Sequence, residues 1–600
     1  MQIALIGAGP RNLILTERLM TFANQSTTPV TITLFDPFPI GGRVWSPEQS
    51  PYFIANTIAS HATLFSDESI ESPFPGLRGP NWYEWLNTVA ADFIKEQNYT
   101  HQDYFLNVIA NLTPNTYPSR ALMGVYAAWT FEQIIKHANP NVHIVHRRLN
   151  VTKTLQKDNQ FELTFSDGTT ELMDQVILTP GHLPTEHTPE EQVFADSGLT
   201  YLPVGHPGEA KLDLLPAKQD VIFRGLGLSF FDYMAALTLG RGGKFDRDTN
   251  SRLVYTPSGH EPHIIAGSRR GELAHARGVN QKPAHVSYVP KIFTSERLTA
   301  TQPTDFHTFF RLIKAEMQLV YYQNLLSEQP DVYPGDASAF IEGLIASDNL
   351  EETVVASDLP AEYHYDWARV YPHTVTSDVT VMDALLTTDI ADAELGNAAG
   401  PYSGSYEIVK DLRSLIRQYL YAGIFDGTGY AAFLDLFGPF NNTVAVGPPL
   451  ERIEELQALI AAGIVTIANP GLKVEVHDHH YQATDDAGNE WITDYLVEAR
   501  LPSTNITKVT NPLMHQLYVD KYIEPVTMTR TDQSTYSIPA VHVNPRTLQT
   551  QNASGQMDNL FIWGLPTEGG NRWFTTFLPR PNDHDSNMVD AETIAQTIFK

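Results

Sequence analysis

The residues best placed to do chemistry begin with Gly7-Ala8-Gly9-Pro10-Arg11-Asn12, set between an apolar run, Ile3-Ala4-Leu5-Ile6, and a helical pattern of Leu13, Leu15, Leu19 and Met20. A second apolar stretch, Val30 to Phe35, ends on Asp36. Gly7 permits a sharp strand-to-helix turn, and Gly9 lets backbone come close to a pyrophosphate. The helix opened by Pro10 aims unpaired N–H groups and a partial positive charge at that anion. Asp36 is placed to accept hydrogen bonds from an adenosine ribose, which points to FAD. Asn12 stands where a third glycine would lie, so slightly looser packing of helix on strand is expected.

The pattern recurs. Val221-Ile222-Phe223-Arg224 enters Gly225-Leu226-Gly227-Leu228-Ser229-Phe230-Phe231-Asp232, and Ile264-Ile265-Ala266-Gly267 reads as the next strand, ending on Ser268-Arg269-Arg270. Gly225, Gly227 and Ser229 are candidates to hold a second diphosphate. Paired arginines where the first unit carries Asp36 suit a 2′-phosphate, since a phosphate takes a bidentate cation where a hydroxyl takes an acid. The contrast predicts FAD in the first unit and NADPH in the second. Between the two motifs, Gly41-Gly42 allow close approach to a ligand, Arg43 is a candidate phosphate contact, and Asn56 offers a lone amide to a polar ring system.

These residues carry a resemblance. Gly41-Gly42-x-x-Trp45, then Asn56-Thr57, then Phe65-x-Asp67 to Pro73-Phe74-Pro75 resemble the early region of class B flavin monooxygenases. Pro118-Ser119-Arg120 with Gly124-Val125-Tyr126 resembles the bacterial FAD-NAD(P)-binding family, a relative of those enzymes. The resemblance implies that Asn56 lies beside the flavin, that Trp45 belongs to the cofactor site, and that Gly225-x-Gly227-x-Ser229-x-x-Asp232 is the NADPH site. It also implies that Gly181 ends a return strand near the cofactor. The late strand Asp558 to Trp563 would bring Gly564 to the flavin, with Trp573 to Pro579 beyond it. The Phe-x-Gly-x-x-x-His fingerprint of the monooxygenases is absent, and Val204-Gly205-His206 stands in roughly its place.

Stepping outward, Phe161 to Phe165 turns at Ser166-Asp167-Gly168 and returns along Asp174 to Gly181, an Asp-Gly hairpin signal. Lys473 to Val476, Asp486-Ala487-Gly488 and Asp494 to Arg500 repeat that order, with Arg500 in the place of Gly181. Apolar residues spaced by three and four, such as Phe306, Phe309, Phe310, Ile313, Met317 and Val320, or Leu412, Leu415, Ile416 and Tyr419, predict a helical insertion, with Gly463 capping its last helix. The expected fold is α/β, with two Rossmann-like dinucleotide-binding domains, a three-layer FAD domain and a largely helical insertion. The expected boundaries are 1–215 and 501–600 for FAD, 216–300 and 464–500 for NAD(P), and 301–463 for the insertion.

Six hundred residues exceed one ordinary core, and a hydrophobic content of 42% supplies material to bury. Asp and Glu number 69 against 40 Lys and Arg, and the net charge of −29 disfavours nucleic acid and anionic membranes as partners. There is no cysteine, which excludes disulfides, thiolate metal sites and a redox dithiol. Met1 runs almost directly into a strand, so a signal peptide is not expected, and Val221 to Gly240 is too polar for a membrane span. His182, His206, His479 and His480 show no metal-ligand spacing. The reading is an FAD-dependent, NADPH-using, monooxygenase-like oxidoreductase of the cytoplasm acting on a small molecule. The alternatives are a reductase or dehydrogenase that does not use oxygen, and a nucleotide-binding sensor without turnover.

Overall fold

A computed structural model describes residues 1–299, 305–575 and 578–600; the expected start of the insertion at 301 and residues 576–577 of the late segment lie outside them. In chain order the elements of the two large sheets and their key helices are β1 (Gln2–Ile6), α1 (Pro10–Ala23), β2 (Val30–Phe35), α2 (Arg120–Lys136), β3 (Val142–Arg147), β4 (Gln175–Leu178) and β5 (Thr200–Leu202). They continue with β6 (Asp220–Arg224), α3 (Leu228–Leu237), β7 (His263–Gly267), β8 (Val465–Ile467), β9 (Tyr495–Glu498), β10 (Gln549–Asn552) and β11 (Gly555–Ile562).

One sheet has six strands in the order β10-β11-β4-β1-β2-β3, and the other has five in the order β8-β7-β6-β9-β5. Both are parallel except for the antiparallel β10–β11 edge. Their central strands are nearly continuous apolar runs because helices and loops cover both faces; Ile3, Leu5, Val221 and Ile222 are fully buried. The C-terminal helix Ser586–Ile598 returns to the first sheet, where buried Arg18 of α1 donates to Glu592 Oε2 at 2.7 Å. The second sheet recruits β5, so it begins upstream of the expected junction at 215.

The two halves are built alike. Ile6 pairs with Leu178 and Arg224 with Glu498. Gly7, at φ 106°, and Gly225, at φ 130°, follow directly. A Cβ on Gly7 would lie 2.7 Å from the Thr179 carbonyl oxygen, and one on Gly225 would lie 2.6 Å from that of Ala499. Both positions therefore demand glycine for the same reason. The equivalence also corrects the sequence alignment of the return strands. Thr179 matches Ala499, so Arg500 stands opposite Pro180 and not opposite Gly181.

Each half carries a three-stranded antiparallel sheet before its return strand, at Val151–Lys157, Gln160–Phe165 and Thr170–Met173, and at Lys473–His477, His480–Thr484 and Glu490–Thr493. Between 305 and 461 the described residues are largely helical; most of these helices share a core that includes Phe306, Phe309, Ile313, Met317, Leu412 and Ile416, while Val379–Glu394 and Leu450–Ala461 pack on the five-stranded sheet through Met382, Leu386, Ile453 and Leu456. Gly463, at φ 71°, follows the last helix, Leu450–Ala461. The hairpin Pro525–Thr529 and Thr535–Val541 joins that core through Val526, Ile538 and Ala540. Between α2 and α3, Arg120 Nη2 and Asp232 Oδ2 meet at 2.5 Å, so two sequence motifs close on one another. No helix among the described residues is long and apolar enough to cross a membrane.

The glycines give a paired prediction. Gly7→Ala forces a strained φ and a backbone clash, and is expected to lower stability by roughly 1–3 kcal/mol. A Cβ on Gly9 meets only the Gly41 carbonyl oxygen at 3.8 Å. Gly9→Ala is therefore expected to fold with near-normal thermal stability and to lose FAD affinity instead. Melting of apoprotein and FAD titration of both variants separate the two roles.

Candidate functional site

A cavity of about 830 Å³ runs between the sheets and under the helical insertion. At one end it is lined by the first glycine turn. Gly9 caps α1, the Gly41 N–H donates to the Ala8 carbonyl at 2.9 Å, and a Cβ on Gly42 would lie 3.3 Å from the Gly9 nitrogen, so the two glycine pairs stack backbone on backbone. Asp36 Oδ2 accepts from the Ala8 N–H at 2.7 Å and Oδ1 from that of Phe38 at 2.9 Å, leaving a lone pair on each oxygen. Burial raises its carboxyl above the usual range, opposed by those two N–H donors.

Two atoms there test the fit to FAD. Arg11 Nη2 and Trp563 Nε1 are buried donors without a hydrogen-bond partner among the described residues, and both residues line the cavity. Arg11 lies against Gly564, whose φ is 80°. Unpaired buried donors at a helix N-terminus fit a group rich in oxygen acceptors, which the diphosphate and flavin of FAD supply. Pro10, Arg43, Trp45, Asn56 and Gly181 line the same cavity. Arg43 is tied to the His182 carbonyl and lies 3.4 Å from Glu209.

Asn12 does not line the cavity. Fully buried, it donates to the carbonyls of Gly7 at 2.7 Å and Ile6 at 3.3 Å, tying helix to strand where the expectation was looser packing and cofactor contact. An asparagine thus does by hydrogen bonding what a third glycine does by closeness.

Gly225, Gly227 and Ser229 line the cavity at the second turn, and a Cβ on Gly227 would meet nothing within 4 Å, which leaves room for a second diphosphate. Arg269 and Arg270 lie outside the cavity lining, exposed just past β7, with Arg270 Nε 3.2 Å from Glu272. Arg500, which the sequence reading did not count as a site residue, lines this end and pairs with Glu498 at 2.9 Å and Glu191 at 2.5 Å.

The far end is cationic. Arg277, Lys410, Arg413, Arg417 and Arg580 line it. Arg413 donates to Asn441 Oδ1 and the Ala445 carbonyl, both at 3.0 Å, and its guanidinium lies 3.7 Å from the Phe574 ring centroid. Lys410 Nζ is 2.9 Å from Glu407, which Lys282 also approaches at 3.4 Å. Burial pushes the Lys410 ammonium below its ordinary value against the pull of Glu407, with Arg580 and Arg277 adding to the fall. Burial would raise the Glu407 carboxyl, but Lys410 and Lys282 outweigh it and hold it low. Asp585 is pushed up to about 6 by burial. The sequence signal for this cluster was present: Glu407, Lys410, Arg413 and Arg417 are spaced by three and four, which puts them on one face of the successive helices Pro401–Asp411 and Arg413–Tyr421.

Sequence reading also missed a buried knot. His275 Nδ1 lies 2.7 Å from Asp389 Oδ1 and its Nε2 2.8 Å from the Val370 carbonyl oxygen, with His373 stacked at 3.8 Å and bonded to the Leu273 carbonyl at 2.7 Å. These residues could group around a metal ion, but three of their four ring nitrogens are committed to protein acceptors. The knot ties the segment after β7 to the helix Val379–Glu394.

A family model described as FAD-NAD(P)-binding matches residues 4–183. The chain is 33% identical to an L-aspartate N-monooxygenase (nitrosuccinate-forming) of Streptomyces davaonensis, over 99% of this chain and 96% of that protein. It is 32% identical to the enzyme of the same name from Streptomyces cremeus, over 99% and 94%. It is 31% identical to a nitrosuccinic acid synthase of Aspergillus oryzae, over 99% and 92%. The chain belongs to this family of flavin monooxygenases: it is an FAD-dependent, NADPH-using oxidoreductase that acts on a small molecule. The missing fingerprint ahead of the second turn does not set it apart; His206 there is buried, lines the cavity and accepts the Gly208 N–H at 3.1 Å.

Three cavity histidines fix a pH dependence. Burial is the main cause of each depressed value, to about 3 for His61 with Arg580 adding, about 4 for His182 with Arg43, and about 3 for His206 with Arg120. The unfolded chain protonates these rings near pH 6.5, whereas the folded chain holds them neutral, so the unfolded state binds more protons and stability falls as pH drops from about 6.5 toward about 4. The cost is on the order of 2 kcal/mol per ring at about pH 5. Denaturant unfolding of apoprotein across that range, with each ring replaced in turn by glutamine, is expected to show a shallower acid loss in every variant.

Proposed function

We propose that the chain oxidises the α-amino group of L-aspartate to a nitro group, forming nitrosuccinate. The relatives' names suggest the substrate, and the observation that carries the reading is the cationic end of the cavity. Arg277, Lys410, Arg413, Arg417 and Arg580 line one space with the acids Glu407, Asp411, Asp583 and Asp585, of which Asp411 is taken up by Lys282 outside that lining. A compact dicarboxylate satisfies such a surplus, because charge-assisted hydrogen bonds to two carboxylates fix both ends of a four-carbon chain. A monocarboxylate or a diamine leaves buried cations uncompensated.

FAD, reduced by hydride from NADPH, supplies the activated oxygen when both are bound. For FAD we assign Gly9, Pro10, Arg11, Asp36, Gly42 and Arg43 to the diphosphate and ribose side. Trp45, Asn56, Gly181, Trp563 and Gly564 go to the flavin side. Gly227, Ser229 and Arg500 are assigned to the NADPH diphosphate, and Arg269 or Arg270 to its 2′-phosphate, with the six-stranded sheet serving FAD and the five-stranded sheet NADPH. An enzyme drawing on NADPH, with no cysteine to protect or oxidise, fits a cytoplasmic setting.

Amine to nitro is three successive two-electron oxidations at one nitrogen. Anchoring through the carboxylates leaves that nitrogen unencumbered and retains the hydroxylamine and nitroso stages between rounds. The chain's own task is to hold both carboxylates and exclude water while the nitrogen changes.

The test is NADPH and oxygen consumption with L-aspartate, L-asparagine, L-glutamate and succinate, and product identification by mass spectrometry. Aspartate alone is expected to give a nitro product. Arg580→Gln, which removes one charge-assisted contact, is expected to raise KM for aspartate roughly 10- to 100-fold with little change in kcat and none in NADPH-driven flavin reduction. Equal turnover of asparagine and aspartate would overturn the reading.

A further inference from the structure

Oxygen insertion at nitrogen needs a lone pair, and the α-ammonium of an amino acid has none at neutral pH. The cavity's guanidiniums hold carboxylates but cannot accept a proton, and Lys410, lowered to about 7 by burial, is tied to Glu407 at 2.9 Å. His61 can accept one. It ends the short turn Ala59–His61, is buried, and lines the main cavity at its cationic end. Its Nε2 lies 3.2 Å from the Lys282 carbonyl oxygen, which can only accept, so Nε2 carries the hydrogen and Nδ1 is the unprotonated nitrogen. His61 also lines a second, solvent-open cavity of about 510 Å³, shared across a wall formed with Asn280 and bordered by Ser60, Asn115 and His285. Asn280 donates to Asn115 Oδ1 at 3.3 Å and accepts from Asn397 at 3.2 Å, so the wall is a chain of amides.

We propose that Nδ1 of His61 takes the proton from the α-ammonium of the bound amino acid and releases it to water in the outer cavity. The inference rests on L-aspartate as substrate. In the step an N–H bond of the ammonium breaks, its electron pair stays on nitrogen, and a new N–H bond forms on His61, which becomes an imidazolium. The groups facing His61 are Arg580 from the C-terminal segment, Lys410 and Glu407 from the helix Pro401–Asp411, and Lys282 from the loop beyond. Burial first, then Arg580 and Lys410, keep the ring neutral. Two substrate carboxylates beside Arg580 and Lys410 oppose the part of that depression which the two cations cause, so binding aspartate shifts His61 toward greater basicity. A neutral amino acid lacking the second carboxylate leaves the base weak, which adds a chemical filter to the binding filter.

The experiment compares wild type with His61→Gln, whose amide keeps a donor for the Lys282 carbonyl but takes no proton. Wild-type conversion of aspartate is measured first; its absence would overturn the substrate reading and this inference together. Given that conversion, His61→Gln is expected to retain FAD content, KM for aspartate and anaerobic flavin reduction by NADPH. It should lose coupled product roughly 10²- to 10⁴-fold near neutral pH, with hydrogen peroxide released instead. Coupling should recover as pH rises toward the pKa of the free α-ammonium. Unchanged coupling and an unchanged pH profile in a loaded variant would overturn the proposal while leaving the substrate reading intact. If the variant fails to hold FAD, the wild-type profile decides. A kcat/KM for aspartate that levels off well below the ammonium pKa supports an internal acceptor, and one that climbs tenfold per pH unit up to that pKa overturns it.

Discussion

Burying positive charge is the constraint on which the rest of the cavity depends. An ammonium or guanidinium taken out of water costs several kcal/mol unless opposite charge or dense hydrogen bonding offsets it. Lys282 finds Asp411 and Glu407, and Lys410 shares Glu407, but Arg413 rests on an amide oxygen, a carbonyl and an aromatic face. Arg277 likewise donates to a carbonyl, that of Gly447. Neutral dipoles satisfy hydrogen bonds without cancelling charge, so the cavity keeps a positive field. Burial depresses Lys410 and His61 alike, and that field adds to both. In a chain of net charge −29, such a pocket is a local inversion of the overall charge.

The nucleotide halves obey a different constraint, that of backbone approach. Gly7 against Thr179 and Gly225 against Ala499 are the same contact made twice, and Gly9 and Gly227 leave the same open space beside each helix N-terminus. Such geometry is generic to any dinucleotide. The cationic end has another origin: the insertion, whose helices deliver Lys410, Arg413 and Arg417 to a space that the two sheets only frame.

This division explains what could be read from the chain. Turn glycines, Asp36, the paired hairpins and the helical insertion announce themselves because each is written in adjacent residues whose local geometry has few solutions. Asn12 misled because hydrogen bonding replaced a role assigned to absence of a side chain, and Arg500 was set one residue off because hairpin echoes carry no register. The β5 strand escaped because three residues hold too little pattern. The cationic end was half written: Lys410, Arg413 and Arg417 share one helical face, but Arg277 and Arg580 come from distant segments that meet only in the folded chain. His275 and Asp389, more than a hundred residues apart, were beyond any spacing rule.

The ties between the parts matter because they set how the walls of the cavity sit relative to one another. Several separate segments line it, and any slip between them would change its shape. Arg120–Asp232 closes the first half on the second at 2.5 Å, and the His275–Asp389 contact at 2.7 Å closes the second half on the insertion. Arg452, donating to the Tyr52 carbonyl at 2.7 Å, closes the insertion back on the first half. Arg120–Asp232 is nearly buried, and removing one partner there strands a charge and costs about 3–5 kcal/mol. The helices that carry Asp389 and Arg452 also pack on the second sheet through Met382, Leu386, Ile453 and Leu456, so the three ties reinforce one another. The structure therefore commits stability to fixed relative position, and the cationic end is where that matters most, because Arg277, Lys410 and Arg580 reach it from three separate segments.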